Sequence, residues 1–245
     1  MLLDIVAALA IYFGEAGASQ LGPPTSRTFR LTDPRTGECA LWTAVEQLAR
    51  QARWRVGFEA TTRCHPGRKT LEAGDVAVTF DGMSAIEALD GLLQLSPEFR
   101  WRELDGIVVI RPKLAWADPT NALNRAVGQF SVSGAHPHFA VHAALEAALP
   151  PLLVPHTELV AVSMGRPLLA QSSDGVAMQF DGGTLLHALN AIVGAFEGVW
   201  QVGYTGKTFY VVLHTFEFQE GGSTIPGGAG SLGELLLPPG PRDHR

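Results

Sequence analysis

The densest group of side chains able to do chemistry is His136-Pro137-His138 with His142. On a helix, His138 and His142 stand four apart and share a face, the spacing at which two imidazoles can hold one metal ion. His156 is a candidate third ligand. No Glu follows His138 in a His-Glu-x-x-His pattern, and no cysteine lies nearby to add a second ligand type. The group therefore reads as helix-cap and surface histidines. A metal-assisted enzyme would require His136, His138, His142 and His156 to converge within ligand distance. Asp81 and Asp181 recur at matching places and could pair as carboxylates, but each precedes a glycine between a strand and a helix. There Asp-Gly turns the chain, and the acid favours the positive helix start. Ser163-Met164-Gly165 and Ser172-Ser173-Asp174 lack a nucleophile-elbow context, and no Gly-rich phosphate loop opens a helix. Trp42, Trp54, Trp101, Trp116 and Trp200 read as core or sheet-face anchors. The expectation is a protein without catalytic residues, metal ligands or a cofactor.

If Cys39 starts the helix after the first strand and Cys64 follows the next parallel strand, the two cysteines sit at one edge of a small sheet. They are a buried free pair or a disulfide. The second requires an oxidising compartment and a short Cα separation.

The elements that carry these residues are organised by a repeat. Val76 to Leu89 reads Val-Ala-Val-Thr-Phe-Asp-Gly-Met-Ser-Ala-Ile-Glu-Ala-Leu. One hundred residues on, Val176 to Leu189 reads Val-Ala-Met-Gln-Phe-Asp-Gly-Gly-Thr-Leu-Leu-His-Ala-Leu. In the first copy Val76, Val78 and Phe80 alternate as a half-buried strand. Ser84 and Glu87 form a capping-box pattern, and Ile86, Leu89, Leu92 and Leu93 make one apolar helical stripe. Phe99 to Arg102 and Ile107 to Ile110 flank Asp105-Gly106, a hairpin signal. The second copy repeats this with Thr184 as cap, a stripe of Leu185, Leu186, Leu189, Ile192 and Val193, and a hairpin from Val199 to Leu213. Trp101 and Trp200 occupy nearly matching places.

Upstream in the first copy lie a strand (Thr28–Thr32), a helix (Thr43–Arg53) and a strand (Trp54–Glu59). In the second they are a strand (Gln129–Ser133), a helix (Phe139–Leu149) and a strand within Leu152–Val162. The fold class expected is α+β, two tandem modules, residues 28–113 and 127–218, each a mixed β-sheet packed with two helices. Lys113 to Ala126 links them. Residues 1–18 hold an apolar run followed by Ala16-Gly17-Ala18, a small-residue cleavage pattern, and predict an export signal, with Asp4 where a cation is usual. The Gly/Pro-rich tail, 219–245, predicts disorder, with Leu232 to Leu237 as its one apolar segment. Arg63, His65, Arg68 and Lys69 form a basic loop that reads as a solvated one.

A net charge of −6 argues against a broad nucleic-acid interface. No run reaches the length of a transmembrane helix.

Phe29 to Pro112 resembles the short N-terminal domain of secretins and TonB-dependent receptors. The resemblance rests on Ala44-Val45-Glu46-Gln47-Leu48-Ala49-Arg50-Gln51-Ala52, Val56-Gly57-Phe58, Val76 to Leu93 and the closing hairpin. It implies a periplasmic, non-enzymatic protein that binds a protein partner of the cell envelope through sheet edges or helix faces. The alternative expectation is an extracytoplasmic sensor with a small ligand held between the modules. Neither reading fixes the oligomeric state.

Overall fold

The computed structural model describes residues 25–61, 77–149, 162–164, 176–196, 198–205 and 208–215. The expected export signal, the basic loop, Cys64, His156, the serine cluster at 172–174 and the tail lie outside the described residues, as does most of the expected strand within Leu152–Val162.

The fold is α+β. The first repeat runs β1 (Arg27–Thr32), α1 (Glu38–Ala52), β2 (Val56–Glu59), β3 (Ala77–Met83), α2 (Ala85–Leu95), β4 (Phe99–Leu104) and β5 (Ile107–Pro112). Two 3-10 turns, Leu114–Trp116 and Ala122–Asn124, lead to a short β6 (Ala126–Val127). The second repeat follows as β7 (Phe130–Ala135), α3 (Pro137–Glu146), β8 (Val162–Met164), β9 (Val176–Phe180), β10 (Gly183–Thr184), α4 (Leu185–Phe196), β11 (Gly198–Thr205) and β12 (Thr208–Thr215).

The repeat in sequence is a repeat in pairing. β1 pairs antiparallel with β3 and places Phe29 opposite Phe80; β7 pairs antiparallel with β9 and places Phe130 opposite Phe180. Ser84 caps α2 with a full capping box: its hydroxyl accepts from the Glu87 amide while the Glu87 carboxylate accepts from the Ser84 amide. In the second copy the Thr184 hydroxyl accepts from the His187 amide, and His187 returns no such bond. Asp81-Gly82 does not turn the chain. β3 continues to Met83, and a bulge with Gly82 at φ 65° absorbs the one extra residue. Asp105-Gly106 does turn it, with both residues at positive φ in the manner of a tight hairpin.

Helix boundaries differ from the periodicity. α1 begins five residues before Thr43, because a 3-10 turn and Gly37 at φ 119° deliver the chain to Glu38. α3 starts at Pro137, whose missing N–H is harmless in the first turn. It stops at Glu146 because Ala148 bridges to Val127.

The central sheet has six strands in the order β4-β5-β2-β11-β12-β8. β4 is antiparallel to β5, β5 parallel to β2, β2 parallel to β11, β11 antiparallel to β12, and β12 parallel to β8. Each repeat thus contributes three strands in the same lateral order, but with every strand direction reversed. Only a half-turn about an axis lying across the sheet relates the two triplets, and that operation exchanges the faces. The cores obey it. Val108 and Ile110 join Leu48, Leu89 and Phe58 on the α1–α2 face. Ile107 and Val109 join Leu145, Leu189 and Trp200 on the α3–α4 face. A strand covered on both faces reads as an unbroken apolar run, which is what Ile107-Val108-Val109-Ile110 is. Where two separate small sheets were expected, one continuous sheet carries both helix pairs.

Candidate partner-binding site

The seam between the repeats is built on a glycine. Gly57 of β2 faces Trp200 of β11 in register, and a Cβ on Gly57 would lie 2.1 Å from the indole. The indole N–H donates to Asn190 Oδ1 at 2.9 Å, and Asn190 Nδ2 in turn donates to the Leu104 carbonyl at 3.2 Å and Asp105 Oδ2 at 3.1 Å. Helix α4 of the second repeat therefore holds the β4–β5 turn of the first.

Beside the seam lies a buried polar network. Glu59 ends β2 and Arg111 continues the apolar run of β5; their side chains are 2% and 1% exposed. Arg111 donates through Nε to Glu59, and through its terminal nitrogens to Asn124 Oδ1 (2.9 Å), Asn121 Oδ1 (3.0 Å) and the Ala115 carbonyl (3.1 Å). Asn121 donates to the other Glu59 oxygen, and Asn124 to the Ala115 and Asp118 carbonyls. A buried ion pair requires this degree of hydrogen bonding to offset its desolvation. The linker is thus folded onto the sheet by a guanidinium. Tyr204 of β11 completes the group: burial first, and the Glu59 charge second, push its phenol up to about 12.

The network sets Trp116 in place, and Trp116 organises the sheet edge. The guanidinium carbons of Arg102, Arg111 and Arg100 lie 4.7, 5.0 and 5.4 Å from its ring centroid, all within cation–π range. Arg111 is bonded to Glu59, whereas among the described residues neither Arg100 nor Arg102 has an ion-pair partner. Arg100 Nε and Trp116 Nε1 are buried donors without an acceptor among the described residues. Both arginines lie on β4, which pairs with β5 and with no other described strand. Trp101, between them, points to the opposite face and donates to Asp90 Oδ1 at 2.7 Å. Leu114, on the turn leading to Trp116, is 89% exposed. The result is a six-residue sheet edge with two exposed or half-exposed guanidiniums on one face and an indole on the other.

The residues singled out from sequence fall elsewhere. His136, His138 and His142 do come together at the start of α3. His136 and His138 share one hydrogen between Nδ1 atoms 2.8 Å apart, and the His138 and His142 rings are 6.1 Å apart. Burial first, then the charges of His136 and His142, hold the His138 pKa below its ordinary value. Among the described residues no group of three or more His, Cys, Asp or Glu is arranged to hold a metal ion. Cys39, in the first turn of α1, is disulfide-bonded; Cys64 lies outside the described residues. Asp81 accepts from the Thr28 hydroxyl across β1, and Asp181 from Gln179. The two carboxylates serve separate strand pairs. Ser163 lies on β8. Trp101 and Trp200 each face their own repeat's helices, but two hairpin positions apart: counted from the turns, Trp200 matches Phe99.

Arg100, Arg102, Arg111 and Trp116 were not singled out as a site. The alternation Arg-Trp-Arg was the available signal, since it sets two guanidiniums on one face of a strand.

The fold and the site together define a face-swapped α+β repeat with a sheet edge that carries two arginines and that no other described strand pairs. No family model, no curated protein and no solved structure matches the chain.

Proposed function

We propose that this chain is a non-enzymatic interaction protein of the bacterial cell envelope, acting in the periplasm and binding a protein partner through the edge of β4. The observation that carries the reading is that β4 closes one end of the sheet with its far side unpaired by any described strand. An edge of this kind offers main-chain donors and acceptors to an incoming segment. The resemblance of Phe29 to Pro112 to the short N-terminal domains of secretins and TonB-dependent receptors supports the compartment and the class of partner. The disulfide-bonded Cys39 agrees with an oxidising compartment. No helix among the described residues is long and apolar enough to cross a membrane. The sensor reading needs a cavity between the repeats; at Gly57 of the β2–β11 seam the Trp200 indole packs too closely to leave one.

Photo-crosslinking from benzophenone residues placed along β4, at positions 100–104, and on the α1 surface at position 50 tests the site. Adducts with one envelope protein from β4 alone are expected. Adducts from position 50 alone, or from neither position, reject the edge.

A further inference from the structure

We infer that the β4 edge recognises an extended acidic segment of a partner protein, added as a seventh strand, with carboxylates on alternate residues meeting Arg100 and Arg102. This rests on the reading of β4 as the binding edge and adds what binds there.

The half-turn that relates the repeats makes β11 the counterpart of β4. β11 has already accepted a strand on the corresponding edge: β2 lies there in parallel register, Trp200 to Gly57 and Val202 to Glu59. The β4 edge, unpaired by any described strand, is thus one whose twin is a working strand acceptor. Counted from the hairpin turns, Arg100 and Arg102 stand where β11 carries Gln201 and Gly203. The occupied edge is neutral at those positions and the open edge is cationic.

Charges on an edge strand repel like-charged strands and disfavour neutral ones, which would desolvate them without a counter-charge. Here the same two charges select their opposite. Residues directly across a strand pair sit on the same face, close enough for opposite charges to stabilise the pairing. An acid–apolar–acid segment therefore sets its two carboxylates against Arg100 and Arg102 and its central side chain over Trp101. Guanidinium and carboxylate match geometrically. Two buried donors, Arg100 Nε and Trp116 Nε1, are without an acceptor among the described residues. Trp116 is itself held by the Arg111 network, so the guanidinium platform is formed before anything binds.

The test is fluorescence anisotropy of labelled hexapeptides titrated with the full chain. The probes are Thr-Glu-Ile-Glu-Ile-Thr, its Gln and Lys analogues, and the acidic peptide N-methylated on alternate amides. The acidic peptide is expected to bind most tightly, and to weaken with salt as screening shortens toward about 8 Å at physiological ionic strength. It should weaken roughly tenfold in R100Q/R102Q, as loss of charge-assisted hydrogen bonds implies. N-methylation should remove binding by blocking the strand ladder. Circular dichroism melting checks that the double variant folds; if it does not, R102Q alone carries the comparison, because Arg102 is exposed.

Equal binding of the Gln and Glu peptides overturns the acidic specificity and leaves the edge reading standing. Unchanged binding of the N-methylated peptide overturns strand addition. A free edge that instead pairs with a second copy, seen as mass-concentration-dependent oligomers by light scattering that the R102Q change does not alter, also overturns the inference. No binding by any peptide, together with no crosslinks from β4, sinks the edge reading as well.

Discussion

Arg111 shows how much a single side chain can carry at this site. It sits on a strand whose four preceding residues are apolar, is nearly inaccessible, and satisfies four partners from β2 and the linker. Replacing it with Met leaves Glu59 buried without its cation and removes a donor from each of Asn121 and Asn124. The expected cost is about 3–5 kcal/mol, measured by denaturant unfolding, and a loss below 1 kcal/mol would show that the network is dispensable. Trp116 should loosen at the same time, seen as lower peptide affinity at conditions where the variant is still folded. Tyr204 reports on the same group from the other repeat. Its folded pKa of about 12 exceeds the ordinary phenol value near 10. The phenol thus favours the folded state fully below about pH 10, and that contribution declines as pH rises toward 12. The difference in phenolate absorbance between wild type and Tyr204→Phe should show one late-titrating tyrosine; a transition near 10 would place the ring in solvent. None of this group was legible beforehand. An arginine after Ile107–Ile110 looks like the exposed end of a strand until the linker is seen to fold back over it.

Helices and strands were more readable, because their signals are local. The capping box at Ser84 was explicit in the sequence and forms as written. Ser84→Ala is expected to cost about 1 kcal/mol. The Ser84 amide, then its hydroxyl, hold the Glu87 carboxyl below its ordinary value. A carboxyl depressed in this way stabilises the fold above its unfolded pKa and loses that contribution as pH falls through the folded one. The S84A penalty should therefore shrink in acid. α3 follows the same sign at milder pH, although here it is the neutral form that the fold favours. The His138 pKa is lowered in the folded protein, so the unfolded chain binds the proton more readily. Stability is complete above about pH 6.5 and declines as pH falls below it. His138→Phe should flatten the melting temperature between pH 7 and pH 5, and an unchanged slope would remove the histidine group as its source. Element boundaries were read less well. Periodicity placed the start of α1 at Thr43, because Gly37 and the preceding 3-10 turn carry no apolar pattern. Asp81-Gly82 read as a turn because a bulge and a turn use the same residues.

At the scale of the whole molecule, the duplication was visible and its geometry was not. Sequence repeats fix what each unit contains; they are silent on the half-turn between them, which depends on which edges meet. Gly57 is the residue on which that meeting depends. Gly57→Ala inserts a methyl 2.1 Å from the Trp200 ring. Overpacking of this kind costs roughly 1–3 kcal/mol, and its signature should be loss of cooperativity between the two halves in calorimetry. A variant that melts as wild type would mean the seam yields without cost.

The half-turn also bears on descent. Ile107 and Val109 turn toward the helices of the other repeat, and Val199 turns back into the core of the first. Deleting either copy would bare a sheet face that the survivor cannot cover. The two copies can therefore drift apart in sequence, as Phe99 and Trp200 have, while neither can be shed. Each half of the repeat has become the other's cover.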